Sequence, residues 1–204
     1  MNVIGFDDGP FARDHHGKVL LVGAVCAGTR LDGIVSGRVT RDGTDSTARM
    51  VDSVRSSQFR DHVRAVLLQG IAVAGFNVVD VRELATALGI PVLVVMRRSP
   101  DMRAIERALF SEEPRIRPRV RGAARKWRLI LDAGEVERLD VRAASATGLR
   151  GRTQRLWVQR QGLSPEAARS VVASTTLHGN VPEPLRLAHL IAGGIVAGRS
   201  RGRT

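Results

Sequence analysis

Two adjacent carboxylates, Asp7 and Asp8, close a short apolar run at residues 3–6 and precede Gly9-Pro10. An apolar run ended by Asp-Gly-Pro reads as a strand closed by a turn. Side chains alternate across a strand, so the two acids leave its end on opposite faces. Asp7 is the candidate metal ligand, because hard divalent ions take carboxylate oxygens. Asp8 is a second candidate ligand, and its place beside glycine suits turn chemistry equally well. Asp42 and Asp45 stand in Thr40-Arg41-Asp42-Gly43-Thr44-Asp45. There Asp42-Gly43 is an ordinary turn and Asp45 an ordinary helix cap. These two reach the chemistry only if their loop folds back against the end of the first strand. Asp80 follows Gly75-Phe76-Asn77-Val78-Val79 and precedes Glu83, the spacing of an N-capping pair. Asp7, Asp42, Asp45 and Asp80 are thus the candidate catalytic acids. Asp7, Asp8, Asp42 and Asp80 are the candidate ligands of a Mg²⁺ or Mn²⁺ ion. Asn77, read as the end of a strand beside the first, is an uncharged contact to substrate.

Phosphate contacts are the second chemical theme. The net charge is +12, with 12 Lys+Arg against 10 Asp+Glu in residues 1–98 and 20 against 10 in residues 99–204. Only Lys18 and Lys126 are lysines, and an arginine offers a planar fork of donors that matches phosphate. Arg97 and Arg98 follow a strand, and Arg121, Arg125 and Lys126 lie in an acid-free stretch at residues 115–128. These five are the candidate contacts to DNA or RNA, binding phosphates without reading sequence. Aromatics make up 3 % of the chain and tyrosine is absent, which argues against a stacking platform for single strands.

Several classes are disfavoured. The chain lacks the GxxxxGK[ST] loop of P-loop NTPases and the CxxC and HExxH spacings of zinc sites. No run of about 18 apolar residues exists, so no membrane partner is expected. The first residues lack the basic-then-apolar order of a signal peptide, and a single cysteine, Cys26, sits in an apolar run. A cytoplasmic, reducing location is the expectation. The oligomeric state is not legible.

The elements that must position these groups follow from periodicity. Residues 3–6, 19–27 and 31–40 read as three strands with short links, hence an antiparallel meander. A helix capped by Asp45 or Ser46 follows, its apolar stripe running from Met50 through Val54, Phe59, Val63 and Val66-Leu67-Leu68, with a break near Ser56-Ser57. Residues 71–76 and 91–96 are unalternating apolar runs that suit a parallel sheet covered on both faces. Between them residues 80–88 form a helix ended by Gly89, and residues 100–110 form another. Residues 111–126 read as a basic loop, 156–159 as a strand or short buried piece, and 199–204 as a frayed tail. Ser164-Pro165 starts a helix in the preferred way, and a last helix runs on from Pro182. Glu183 at that start is explained by the helix dipole, and His189 by an interior hydrogen bond. The whole is one α/β domain over residues 1–204. Its mixed sheet has about five strands, a meander of three and then parallel strands, with helices on both faces, the ribonuclease H-like pattern.

The set IGFDDGPF, RDGTD, GFNVVD, VVMRRSPD and NVPEPLRLAHLIAGG resembles, over nearly the whole chain, an uncharacterised and mainly archaeal family of small proteins. That family is similar in fold to endonuclease V, a likeness that covers about residues 1–97. The resemblance implies a ribonuclease H-like fold and cleavage of nucleic acid near deaminated bases such as hypoxanthine, with Mg²⁺ held by carboxylates at strand ends. Asp7, after Gly5-Phe6, matches the first metal-binding acid. Asp42 or Asp45 stands near the second, after the third strand. The third, an acid at the end of the fourth strand, corresponds to Asn77 here. Three functions stay open: a metal-dependent nuclease, a non-catalytic nucleic-acid-binding module on the same fold, and a nucleotide-processing enzyme using the same cleft.

Overall fold

The computed structural model describes residues 1–111, 120–142, 153–177 and 181–200. Strands β1 (Asn2–Asp8), β2 (Lys18–Ala27) and β3 (Arg30–Thr40) form the expected antiparallel meander. Then come α1 (Ser46–Arg55), β4 (Val63–Gln69), a small hairpin of β5 (Ala72–Val73) and β6 (Asn77–Val78), α2 (Val81–Leu88) and β7 (Val92–Met96). The remainder is α3 (Met102–Phe110), α4 (Ala123–Asp132), β8 (Glu137–Arg142), β9 (Thr153–Gln161), α5 (Pro165–Thr175) and α6 (Glu183–Ala197). The main sheet has seven strands in the order β3-β2-β1-β4-β7-β9-β8. β1, β4 and β7 are mutually parallel, and β9 returns antiparallel to β7. The carboxyl ends of β1, β4 and β7 therefore share one edge, where open α/β sheets bind ligands. No helix among the described residues is long and apolar enough to cross a membrane.

The two faces of β1 build two cores. Ile4 and Phe6 pack with Met50, Val54 and Leu84 of α1 and α2. Val3 packs with Leu67, Leu93, Val158, Val172 and Leu185 under α5 and α6. Cys26 is fully buried, and burial pushes its thiol up to about 11, so it is a packing residue.

Three parts of the sequence reading are corrected. The long helix after Asp45 stops at Arg55, and residues 63–69 are the central strand β4. Val63, Ala65, Val66, Leu67 and Leu68 are all buried. A run buried on every side is ambiguous between helix and strand by periodicity, and β-branched content with a serine break upstream favours the strand. Residues 71–76 do not make a long strand. Ala74 at φ 47 and Gly75 at φ 84 turn the chain into the β5–β6 hairpin. The end of the expected basic loop at 111–126 is helical, because α4 begins at Ala123, and β8, where Leu139 and Val141 alternate with polar residues, brings the strand total above the expected five.

Candidate functional site

Strand β1 delivers Asp7 and Asp8 to the shared carboxyl edge, and the pleat separates them as alternation requires. Asp7 leaves on the face of Val3 and Gly5. A Cβ at Gly5 would lie 2.5 Å from the carbonyl carbon of Pro184 and 2.7 Å from the nitrogen of Leu185, so only glycine lets the start of α6 lie on β1. That close approach brings His189 of α6 to Asp7, with Nδ1 2.8 Å from Oδ2. The Asp7 side chain is 14 % exposed and that of His189 42 %. Burial raises the Asp7 carboxyl above its ordinary range, and the hydrogen bond and charge of His189 oppose the rise. Asp8 leaves on the other face, toward the hairpin. Burial, and after it the charge of Asp7, pushes its carboxyl up to about 6, while a backbone hydrogen bond from Ala74 pulls the other way.

Beside His189 a cavity of about 60 Å³ is lined by Gln69, Arg97, Val181, Arg186 and His189. Gln69 ends β4, Arg97 follows β7, and Arg186 is gripped by Glu183 at 3.0 Å from Nε to each carboxylate oxygen. Arg97 and Arg98 are exposed, and neither makes an ion pair among the described residues. A carboxylate, an oriented imidazole, an amide and a free guanidinium thus meet at one strand edge.

The other expected acids have other occupations. Asp42 Oδ1 accepts from the Phe76 amide at 2.7 Å, and Oδ2 lies 3.3 Å from Arg41 Nε. Asp45 accepts from the Thr40 amide, the Thr40 hydroxyl and Asn77 Nδ2. Burial works against its charge, yet these bonds hold its carboxyl below the ordinary range. Asp80 caps α2, accepting from the Glu83 amide at 2.9 Å. Asn77 is fully buried in the hairpin, not at the end of the fourth strand. Its Oδ1 accepts from the Ser46 amide and its Nδ2 donates to the Thr40 carbonyl, so it knits α1 to β3. The fourth long strand ends in Gln69. Lys126 is 1 % exposed and donates to the Asp42 carbonyl; burial depresses its ammonium, against the pull of the Asp42 charge. Arg125, Lys126 and Asp80 line a separate cavity of about 140 Å³ between α1, α2 and α4, and Arg121 is exposed.

His189 and Gln69 are the residues sequence reasoning missed. Glu183, Arg186 and His189 recur every third residue, a polar stripe on one helix face that was the available signal for the histidine. Gln69 carried no signal until β4 was known to be a strand. Among the described residues no group of three His, Cys, Asp or Glu is placed to hold a metal ion. Asp7, on the side of the cavity, suits an ion that keeps several waters and takes one or two carboxylates, as Mg²⁺ does, while Asp8 leaves on the opposite face.

Comparison with known proteins agrees with this frame. The structure is similar to a protein of unknown function from Archaeoglobus fulgidus, at TM-score 0.78 and 31 % identity over 96 % of this chain and 98 % of that one. It shares its fold with endonuclease V of Ciona intestinalis, solved with a 24-mer DNA containing an inosine followed by a ribo-adenosine. There the TM-score is 0.53 and the identity 13 %, over 92 % of this chain and 82 % of that one. Human endonuclease V gives TM-score 0.54 and 16 % identity, over 92 % and 80 %. In sequence, a UPF0215 protein of Deinococcus radiodurans is 46 % identical over 99 % of this chain and 92 % of its own length. A UPF0215 protein of Thermococcus gammatolerans is 40 % identical over 98 % and 94 %. The family model described as endonuclease dU matches residues 1–196, and the chain belongs to that family.

Proposed function

We propose that this protein is a metal-assisted endonuclease that hydrolyses a phosphodiester of DNA or RNA beside a deaminated base, deoxyuridine being the first to test. The observation that carries the reading is the Asp7–His189 pair, 2.8 Å apart at the carboxyl edge of the parallel strands, next to an unpaired Arg97. Asp7 accepts from Nδ1–H of His189 and so fixes the tautomer that leaves Nε2 as a proton acceptor toward the cavity. Nε2 takes the proton of the attacking water as the water oxygen bonds to phosphorus, and the bond to the sugar oxygen breaks, that oxygen keeping the electron pair and taking a proton from solvent. Arg97 holds the phosphate oxygens through its guanidinium fork. A Mg²⁺ or Mn²⁺ ion held by Asp7 would neutralise phosphate charge and acidify the water.

The amide of Gln69 at the end of β4, the strand end at which the resemblance to endonuclease V implies an acid, favours a second reading, a binding module without turnover. One assay separates the two. Uracil-, inosine- and normal-base strands, single and double, are incubated with the chain and Mg²⁺, Mn²⁺ or chelator. Cutting that falls by about 10²–10⁴-fold in both Asp7→Asn and His189→Ala is the expected result. Cutting unaltered in Asp7→Asn would overturn the proposal, and binding without cutting would establish the module.

A further inference from the structure

We infer that the α3–α4 layer is a docking surface for a single-stranded stretch of nucleic acid flanking the cut, an inference that rests on the nuclease reading above. The layer stands on the β5–β6 hairpin. Val78, Leu109, Val120 and Ile130 are its buried seam, and Ile71 and Phe76 of the hairpin pack against it. The same hairpin touches Asp8 through the backbone of Ala74. The layer is therefore a neighbour of the strand-end site, one hairpin away from it.

Its outer side combines charge with apolar surface in an unusual way. A groove between the two helices is walled by Phe110, Trp127 and Leu131, with Arg128 and Asp132 at its rim. Phe110 is 46 % and Leu131 52 % exposed, although both are large apolar side chains. On α3, Arg103, Arg107 and Phe110 follow at four and three residues, which places them along one exposed stripe. On α4, Arg125 and Arg128 are exposed three residues apart, and exposed Arg121 stands just ahead of the helix. None of these five arginines makes an ion pair among the described residues.

Exposed guanidinium groups on both helices, beside a groove that is largely apolar and aromatic, match one polymer. Its backbone is anionic at every repeat, and its unstacked bases present flat apolar faces. A duplex satisfies the arginines but hides its base faces, so the groove selects single strands. An apolar protein partner would use the floor and leave five cations uncompensated. The composition, poor in aromatics, conceals this surface. Position makes it, since Phe110 and Trp127 are far apart in sequence and meet only when α3 packs on α4.

The test uses the Asp7→Asn chain, so that binding is read without cleavage, and fluorescein-labelled oligothymidine beside a hairpin duplex. Anisotropy titrations over a range of salt give Kd and its salt slope. Phe110→Ala, at an exposed position, is expected to weaken single-strand binding roughly ten- to hundredfold. Arg107→Ala and Arg128→Ala should each lower the salt slope by about 0.7. Arg30→Ala, whose guanidinium is paired with Asp32 on an edge strand, should change neither. Circular dichroism confirms that each variant is folded. Strand binding that persists unchanged in Phe110→Ala and in both arginine variants overturns this inference and leaves the nuclease reading standing. No binding by the Asp7→Asn chain, with no cutting by the wild type, removes both. Self-association that Phe110→Ala abolishes, with no strand bound there, would make the groove a protein interface and overturn the inference.

Discussion

Asp8→Asn should make the protein more stable, with the gain confined to neutral and alkaline pH. The native Asp8 carboxyl is pushed up to about 6 from 3.8, first by burial and then by Asp7. Between those values the folded state holds a proton that the unfolded state has released. Stability therefore falls as pH rises from 4 to 6, and the full penalty is present above 6. Two pH units correspond to a ceiling of about 3 kcal/mol. Asp8 is only partly buried, and solvent screening brings the expectation to roughly 1–2 kcal/mol. Asparagine removes the charge and keeps an oxygen to accept from the Ala74 backbone. For a chain of this size the gain is a rise in Tm of about 3–6 °C. Urea unfolding of wild type and variant in chelator at pH 4, 6 and 8 is the assay. A gain at pH 8 that vanishes by pH 4 supports the reasoning. A difference that does not depend on pH, or a loss at pH 8, would refute it, because the acid would then be neither desolvated nor repelled.

Further predictions concern the same edge. Adding Mg²⁺ at about a hundred times its Kd should stabilise the wild type by roughly 2.7 kcal/mol and leave Asp7→Asn unmoved, as thermal shifts would show. Gly5→Ala drives a methyl into the backbone of Pro184 and Leu185; it should cost about 1–3 kcal/mol in denaturant melts and reduce cleavage by displacing His189. His189→Gln should lower cleavage at least a hundredfold with a change in Tm of only a few degrees, and a large loss of stability would reassign the histidine to packing. Asn77→Ala orphans the buried Ser46 amide and should cost about 1–3 kcal/mol, measured by chemical unfolding, while Mg²⁺ binding by calorimetry stays intact.

Local signals carried much of the architecture. The β1–β3 meander follows from apolar runs with short links, and the Asp80, Gly89 and Ser164 caps follow from backbone groups that helix ends must satisfy. The central strand β4 was hidden because residues buried on both faces lose the period that distinguishes strand from helix. That loss displaced the expected end of the fourth strand from Gln69 to Asn77. The acids were legible as residues but not as partners. Asp45 and Asn77 bond each other across 32 positions, and Asp42 meets Phe76 across 34, so their occupations depend on tertiary contacts. Asp7 was readable from its place at a strand end. Its histidine was not, because helix periodicity places His189 on a face without saying what that face meets.

Asp7 and His189 are separated by 182 positions. All the strands from β2 to β9 lie between them in the chain, so a chain that stops short of α6 lacks the histidine half of the pair. On the proposed reading, cutting would require α6 to dock on β1, against the glycine that admits it. A chain without α6 would then be inactive, and the onset of cutting would serve as a clock for this long-range contact of folding.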